Sequence, residues 1–151
     1  MVEKDIQKVL FKKLVEQRST FRIGIPNIYF YRWESDFLGL TRSGYCHEFE
    51  IKVSKEDYLA DFNKKHKHNL LSIYHKSPSP THVIPKRFYY VISGFWLEMS
   101  EVPAYAGLLI VTPSGYIKTI KRAPDLPATP VTEDNLLKIA TSACYRLMER
   151  W

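Results

Sequence analysis

Residues 48–53 alternate between charged and apolar side chains, and this pattern predicts an extended strand. In a strand, successive side chains point to opposite faces, so Glu48, Glu50 and Lys52 share one face and the apolar residues share the other. An apolar run that opens with Asp36 precedes this stretch, and a short turn over residues 41–44 allows the two strands to pair as a hairpin. The pattern therefore predicts that Asp36 lies beside Glu50 and Lys52 on neighbouring strands.

This arrangement suits metal chemistry. Two neighbouring carboxylates repel each other, and a hard divalent cation such as Mg²⁺ removes the repulsion by accepting oxygen ligands from both. A lysine on the same side can hold or deprotonate a metal-bound water next to a phosphate, as in metal-assisted phosphodiester hydrolysis. The alternative is an ordinary edge hairpin with a charged, solvated outer face, and Glu-x-Lys by itself does not separate the two.

A longer string of residues extends the pattern over roughly residues 1 to 125. It comprises Asp36, residues 50–54, Asp57-Tyr58, Asp61, and then residues 87–91, 102–103 and 107–109. This string resembles the PD-(D/E)xK nuclease superfamily, and more closely its MmcB-like DNA repair branch. One departure is that Glu34-Ser35 stands where the superfamily name implies a proline before the first acid.

The resemblance implies an α/β fold with a restriction-endonuclease-like mixed central sheet flanked by helices. It further implies a Mg²⁺- or Mn²⁺-dependent deoxyribonuclease in repair or recombination. Asp36, Glu50 and the carbonyl oxygen of Ile51 would bind the metal. Lys52 would act as a base if its surroundings lower its pKa, and otherwise as a cation that stabilises the transition state.

The first helix adds a further candidate ligand. Glu3 falls within an apolar stripe formed with Ile6, Leu10 and other residues, and an acid is expensive to bury there without a partner. Nucleases of this group often add an acid from the first helix to their metal shell, a role that falls to Glu3, with Gln7 one turn later in support. The alternative is an acid that only stabilises the first helical turn.

Periodicity and turn residues predict one domain over residues 1–151 with the order α-β-β-β-α-β, then β-β and α. A helix should begin directly after Ser54, run to about Lys65 and turn Tyr58, Leu59 and Phe62 towards the core. The remaining predicted elements are a helix over 3–17, strands over 27–33, 36–41, 46–53, 87–93, 107–112 and 116–120, and a last helix after Thr132.

The chain is basic, with a formal net charge of +6, and this suits an anionic partner such as DNA. The densest basic run covers residues 64–68, and Lys64, Lys65 and Lys67, together with Lys55, are predicted to contact phosphates. A solvated helix end explains the run equally well. The spacing of His66 and His68 leaves a zinc site as a weaker alternative.

Other features narrow the class of protein. Cys46 and Cys144 are far apart, which argues against a thiolate zinc site and a disulfide framework. No apolar run is long enough to span a membrane and the N-terminus resembles no secretory signal, so we expect a cytoplasmic protein. Two alternatives to a nuclease stay open, namely a nuclease-fold module that binds DNA without cleaving it and a protein-interaction domain. The oligomeric state and the preferred DNA structure are not encoded in any motif.

Overall fold

One mixed sheet organises the protein. The computed structural model describes residues 1–149, and its six strands lie in the order β1 to β6. Strands β3, β4 and β5 are parallel to one another. The pairs β1–β2, β2–β3 and β5–β6 are antiparallel. The strands are Ile23–Tyr29, Glu34–Leu40, Cys46–Lys52, Arg87–Ile92, Ala106–Val111 and Ile117–Lys121.

Helices cover both faces of the sheet. On one face lies α1 (Glu3–Leu10), which continues as a π-helical segment (Phe11–Gln17). The opposite face carries α2 (Lys55–Asp61), α3 (Lys65–Lys76) and α4 (Glu133–Met148). This arrangement confirms the predicted mixed central sheet flanked by helices.

The alternation along β3 separates two cores. Phe49 and Ile51 pack against α1 together with Phe37 of β2. The other face of β3 carries Glu48, Glu50 and Lys52, and these side chains are buried as well. Because β3 is the third of six strands and its charged face is covered by helices, the interpretation as an ordinary edge hairpin with a solvated outer face is wrong.

Local signals place several element boundaries correctly. The Ser54 hydroxyl accepts a hydrogen bond from the Asp57 N–H at 3.1 Å, so α2 begins where the capping residue predicts. The Thr132 hydroxyl caps α4 in the same way. Gly44, with φ of +88°, closes the turn between β2 and β3 in a conformation that suits glycine.

Three predictions about the elements are wrong. Strand β1 begins at Ile23 and ends at Tyr29, earlier than predicted, because an edge strand tolerates Pro26. Helix α2 ends at Asp61, and Lys65 starts a separate twelve-residue helix that the predicted element order lacked. Leu59 is 56% exposed and does not face the core.

Within residues 1–149, no helix is long and apolar enough to cross a membrane. Cys46 and Cys144 are both free thiols, the first buried and the second exposed.

Candidate active site

The candidate site lies where β2 leaves β3. The hydrogen-bonded ladder between these strands ends at the pair Phe37 and Phe49, while β2 stays paired to β1 as far as Glu34. Continuing the register places Asp36 opposite Glu50. The Asp36 carboxylate accepts a hydrogen bond from the Ile51 N–H at 2.8 Å, so the side chain replaces the strand partner that this backbone donor would otherwise have.

Helix α1 fixes Asp36 from the opposite side. The buried Gln7 amide donates one hydrogen bond to the Asp36 carbonyl oxygen at 2.8 Å and another to the Asn27 side chain at 3.0 Å. Gln7 therefore supports the site through the backbone of Asp36. Glu3, one turn earlier, is exposed, and its negative charge acts on Asp36. The structure thus brings Glu3 near the site without burying it.

The Asp36 carboxyl group lacks a compensating positive charge. Burial, and then the negative charge of Glu50, raise its pKa from an ordinary 3.8 to about 8. The hydrogen bond from the Ile51 N–H lowers this pKa. The positive charge of Lys52 lowers it too, but by less than the negative charge of Glu50 raises it. A cation placed beside Asp36 would therefore stabilise the ionised form of its carboxyl group.

Glu50, in contrast, is surrounded by lysines. Its Oε1 lies 3.2 Å from the Nζ atoms of both Lys52 and Lys64, and its Oε2 lies 3.1 Å from Lys67 Nζ. The carboxylate is 1% exposed. These ion pairs surround both oxygens of the buried carboxylate with positive charge.

Lys67 belongs to the interior of the site. It is 2% exposed, and its Nζ lies 3.2 Å from Glu48 Oε2 and 4.7 Å from the centre of the Phe88 ring. The indole N–H of Trp33 donates to both Glu48 oxygens at 3.0 Å. Although burial lowers the pKa of Lys67, the charges of Glu48 and Glu50 outweigh it and raise that pKa above its ordinary value. Lys67 is therefore a permanent buried cation.

A fourth acid, Asp61, completes the cluster from the end of α2. Asp61 Oδ2 accepts hydrogen bonds from Tyr90 Oη at 2.8 Å and lies 2.9 Å from His68 Nε2. Asp61 Oδ1 lies 3.3 Å from Lys52 Nζ and 3.2 Å from Lys64 Nζ. Burial alone raises the pKa of Asp61, but the hydrogen bond with His68 and the nearby lysines bring it far below its ordinary value.

These acids decide the charge state of Lys52. Burial lowers its pKa, but the negative charges of Glu50, Asp61 and Asp57 outweigh burial and raise it. The condition for Lys52 to act as a base, a lowered pKa, is not met in this arrangement. The arrangement instead suits the other predicted role of Lys52, that of a fixed cation.

The four lysines predicted to contact phosphates occupy four different environments. Lys65 is exposed at the start of α3, and Lys55 forms an ion pair with Glu101 near the surface. Lys64 reaches back to the acids of the site while its side chain stays 52% exposed. For Lys67 the prediction of a phosphate contact is wrong, because its ammonium group is enclosed by Glu48, Glu50 and aromatic rings.

The basic run also fails as a zinc site. His66 is exposed, whereas His68 is buried against Asp61 and Tyr105, so the two imidazoles point to different surroundings. No role was assigned from the sequence to Trp33 or Glu48, although the face that Glu48 shares with Glu50 and Lys52 was a usable signal for it. Asp61 and Tyr90 belonged to the string that carries the resemblance, and His68 was considered only as a zinc ligand, so the place of these three in the cluster was missed.

The donor set fits Mg²⁺ or Mn²⁺. Among residues 1–149, no group of three or more His, Cys, Asp or Glu side chains is arranged to hold a metal. Mg²⁺, however, is often bound by only one or two carboxylates together with water and substrate phosphates. Asp36 and Glu50, with the Ile51 carbonyl oxygen, supply such a set, and the raised pKa of Asp36 marks a missing positive charge.

Comparison with known proteins adds information about the fold. No family model and no curated protein matches the sequence. Among solved structures, a protein of unknown function from Silicibacter pomeroyi is similar, with a TM-score of 0.65 and 18% sequence identity. The match covers 97% of this chain and 90% of the other. At this level of identity the likeness shows a shared fold.

Proposed function

We propose that the protein is a Mg²⁺- or Mn²⁺-dependent deoxyribonuclease of the PD-(D/E)xK type that acts in DNA repair or recombination. The observation that carries the proposal is the meeting of Asp36, Glu50 and Lys52 at the point where β2 leaves β3, with Asp36 short of a positive charge. Free thiols at Cys46 and Cys144 suit the cytoplasm, where we place the activity.

Each residue has a distinct task. Asp36 and Glu50 would hold the divalent ion, which when bound would supply Lewis-acid stabilisation of the phosphate and activate a water as the nucleophile. Lys52 places a fixed positive charge beside the phosphate, since Glu50 and Asp61 keep it protonated. Gln7 keeps Asp36 in place through its carbonyl oxygen, and the exposed Glu3 adds negative charge that acts on Asp36.

The exposed lysines supply the phosphate-binding surface. Lys65 lies in the first turn of α3, next to Lys64 at the edge of the acid cluster, and both side chains reach solvent. A contact between such lysines and DNA releases counterions, so affinity should fall with salt by a slope of roughly one per phosphate contact. Substitution of Lys65 should flatten this dependence.

The activity is tested with a panel of labelled single-stranded, duplex and branched DNA in Mg²⁺, Mn²⁺ and EDTA. We expect cleavage only with a divalent metal, and a loss of about 100-fold or more in Asp36→Asn and in Lys52→Met, since these groups act as one unit. Glu34→Gln changes an exposed acid on the same strand and is the matched control. Equal rates in Asp36→Asn and wild type would remove the assignment.

A binding module without cleavage is the second candidate. It is favoured by the three lysines that already balance the charge of Glu50, which leaves this carboxylate paired without a metal. Under this alternative, DNA binding persists in EDTA and no member of the DNA panel is cut in either metal. The same assay, read for both binding and cleavage, separates the two candidates.

A further inference from the structure

Lys64 differs from the other two lysines on Glu50 in its exposure. Its Nζ lies 3.2 Å from Glu50 Oε1 and 3.2 Å from Asp61 Oδ1, so it bridges two acids. Its side chain is 52% exposed, against 7% for Lys52 and 2% for Lys67. Of these three cations, Lys64 is the one that stands between the acids and solvent.

Of the three lysines around Glu50, only Lys64 can move away without leaving a buried charge unpaired. Lys67 is the ion-pair partner of Glu48, which is fully buried, and its departure would leave that carboxylate unpaired. Lys52 is enclosed between Glu50 and Asp61.

The position of Lys64 in the chain permits movement. The residue lies in the turn between α2 and α3, and its backbone is held there because its N–H donates to the Asp61 carbonyl at 3.0 Å. The side chain can therefore rotate into water while the turn stays intact. After such a rotation, Glu50 keeps two lysines, and Asp61 keeps its contacts with His68 and Tyr90.

We propose, resting on the metal-dependent activity proposed above, that Lys64 is a displaceable counter-ion of the metal site. In the metal-free protein it occupies Glu50 and Asp61. When a divalent cation is bound by Asp36 and Glu50, Lys64 gives up Glu50 Oε1, because the added positive charge repels the lysines around Glu50 and Lys64 is the one of the three that reaches solvent. The released ammonium group then faces the substrate phosphate.

The displacement couples metal and DNA binding. A lysine that leaves Glu50 becomes available to a phosphate, and a phosphate that holds the lysine leaves Glu50 available to the metal. Each ligand therefore strengthens the other by the same factor, as linkage requires. Lys64 acts on the metal by competition and on the substrate by direct contact.

Mn²⁺ binding, followed by electron paramagnetic resonance without DNA, tests the competition. Lys64→Gln removes the competing charge, and we expect Mn²⁺ to bind about 2–5-fold more tightly than to wild type, the upper part of the range for an exposed ion pair. Lys65→Gln removes the adjacent charge, which forms no ion pair within residues 1–149, and should change affinity less than about twofold. Asp36→Asn should weaken binding and so identify the site.

Lysine acetylation read by mass spectrometry gives a second readout in the wild-type protein. Saturating Mn²⁺ should increase the labelling rate of Lys64 relative to that of Lys65, because displacement exposes the ammonium group. A ratio that does not change with Mn²⁺ would contradict displacement.

The outcomes separate the two proposals. If Lys64→Gln binds Mn²⁺ more tightly but neither it nor the wild-type protein cleaves DNA, the nuclease assignment fails and the counter-ion role stands. If wild type binds Mn²⁺ through Asp36 and Lys64→Gln binds it equally or more weakly, the counter-ion role fails alone. If neither protein binds Mn²⁺, both proposals fail.

Discussion

Replacement of Asp36 by asparagine should stabilise the metal-free protein at alkaline pH. In the folded protein, burial and the charge of Glu50 raise the pKa of Asp36 to about 8, whereas the unfolded chain keeps the ordinary value of 3.8. Between these values the folded state binds the extra proton, so the free energy of unfolding falls as pH rises from about 4 to 8. Asparagine resembles the protonated acid, so the free energy of unfolding of the variant does not fall with pH on account of this residue.

The size of the effect follows from the same shift. A tenfold change in proton affinity is worth about 1.4 kcal/mol, so a rise from 3.8 to about 8 sets an upper limit of about 6 kcal/mol. Asp36 is partly exposed, and water and the lysines around Glu50 screen the repulsion, so we expect about 1–2 kcal/mol. For a chain of this length that corresponds to roughly 2–8 °C in Tm.

The assay is thermal unfolding of wild type and Asp36→Asn in EDTA at several pH values from 5 to 9. The Tm advantage of the variant should grow with pH up to about 8 and then level off. Glu34→Gln, an exposed charge change on the same strand, controls for net charge. An Asp36→Asn protein that is no more stable than wild type at pH 8.5 would refute the idea that Asp36 lacks a countercharge.

Three further results are expected. Lys67→Met should destabilise the fold by about 3–5 kcal/mol in chemical denaturation, because the buried Glu48 loses its ion-pair partner. The double variant with Glu48→Gln should recover part of this loss, because the unpaired charge is then gone. Glu3→Gln should weaken Mn²⁺ binding a few-fold with Tm nearly unchanged, and identical Mn²⁺ affinity would limit Glu3 to the helix terminus. Calorimetry at pH 7 in buffers of different ionisation enthalpy should detect proton release from Asp36 on Mn²⁺ binding, whereas a buffer-independent heat would contradict its raised pKa.

The sequence best predicted those features that depend on residues close together in the chain. Alternation along residues 48–53 predicted strand β3 and its pairing with β2, because strand periodicity depends only on the backbone. The hydroxyl of Ser54 predicted the start of α2, because a cap involves residues three apart. The meeting of Asp36 and Glu50 followed from the same register.

Residues 64–68 were misread because their roles depend on distant partners. A run of lysines and histidines resembles a solvated helix end in composition, and no local pattern shows that Lys67 points at Glu48, nineteen positions earlier. The same charges concealed α3, in which Lys67 and His68 occupy the buried face with Leu71. Burial of these residues depends on the crossover between β3 and β4, which places α3 over the charged face of β3.

Charge counting gives a physical reason for the composition of this cluster. Three buried acids, Glu48, Glu50 and Asp61, are matched by three lysines, Lys52, Lys64 and Lys67, so the charges of these six groups sum to zero while Asp36 holds its proton; the half-exposed Asp57, 3.8 Å from Lys52, lies outside this buried set. Ionisation of Asp36 adds one negative charge, and departure of the exposed Lys64 adds a second. The resulting charge of minus two matches one divalent cation. Under the proposed displacement, the buried groups would be neutral both without the metal and with it, and so would avoid the penalty of an unpaired buried charge in both states.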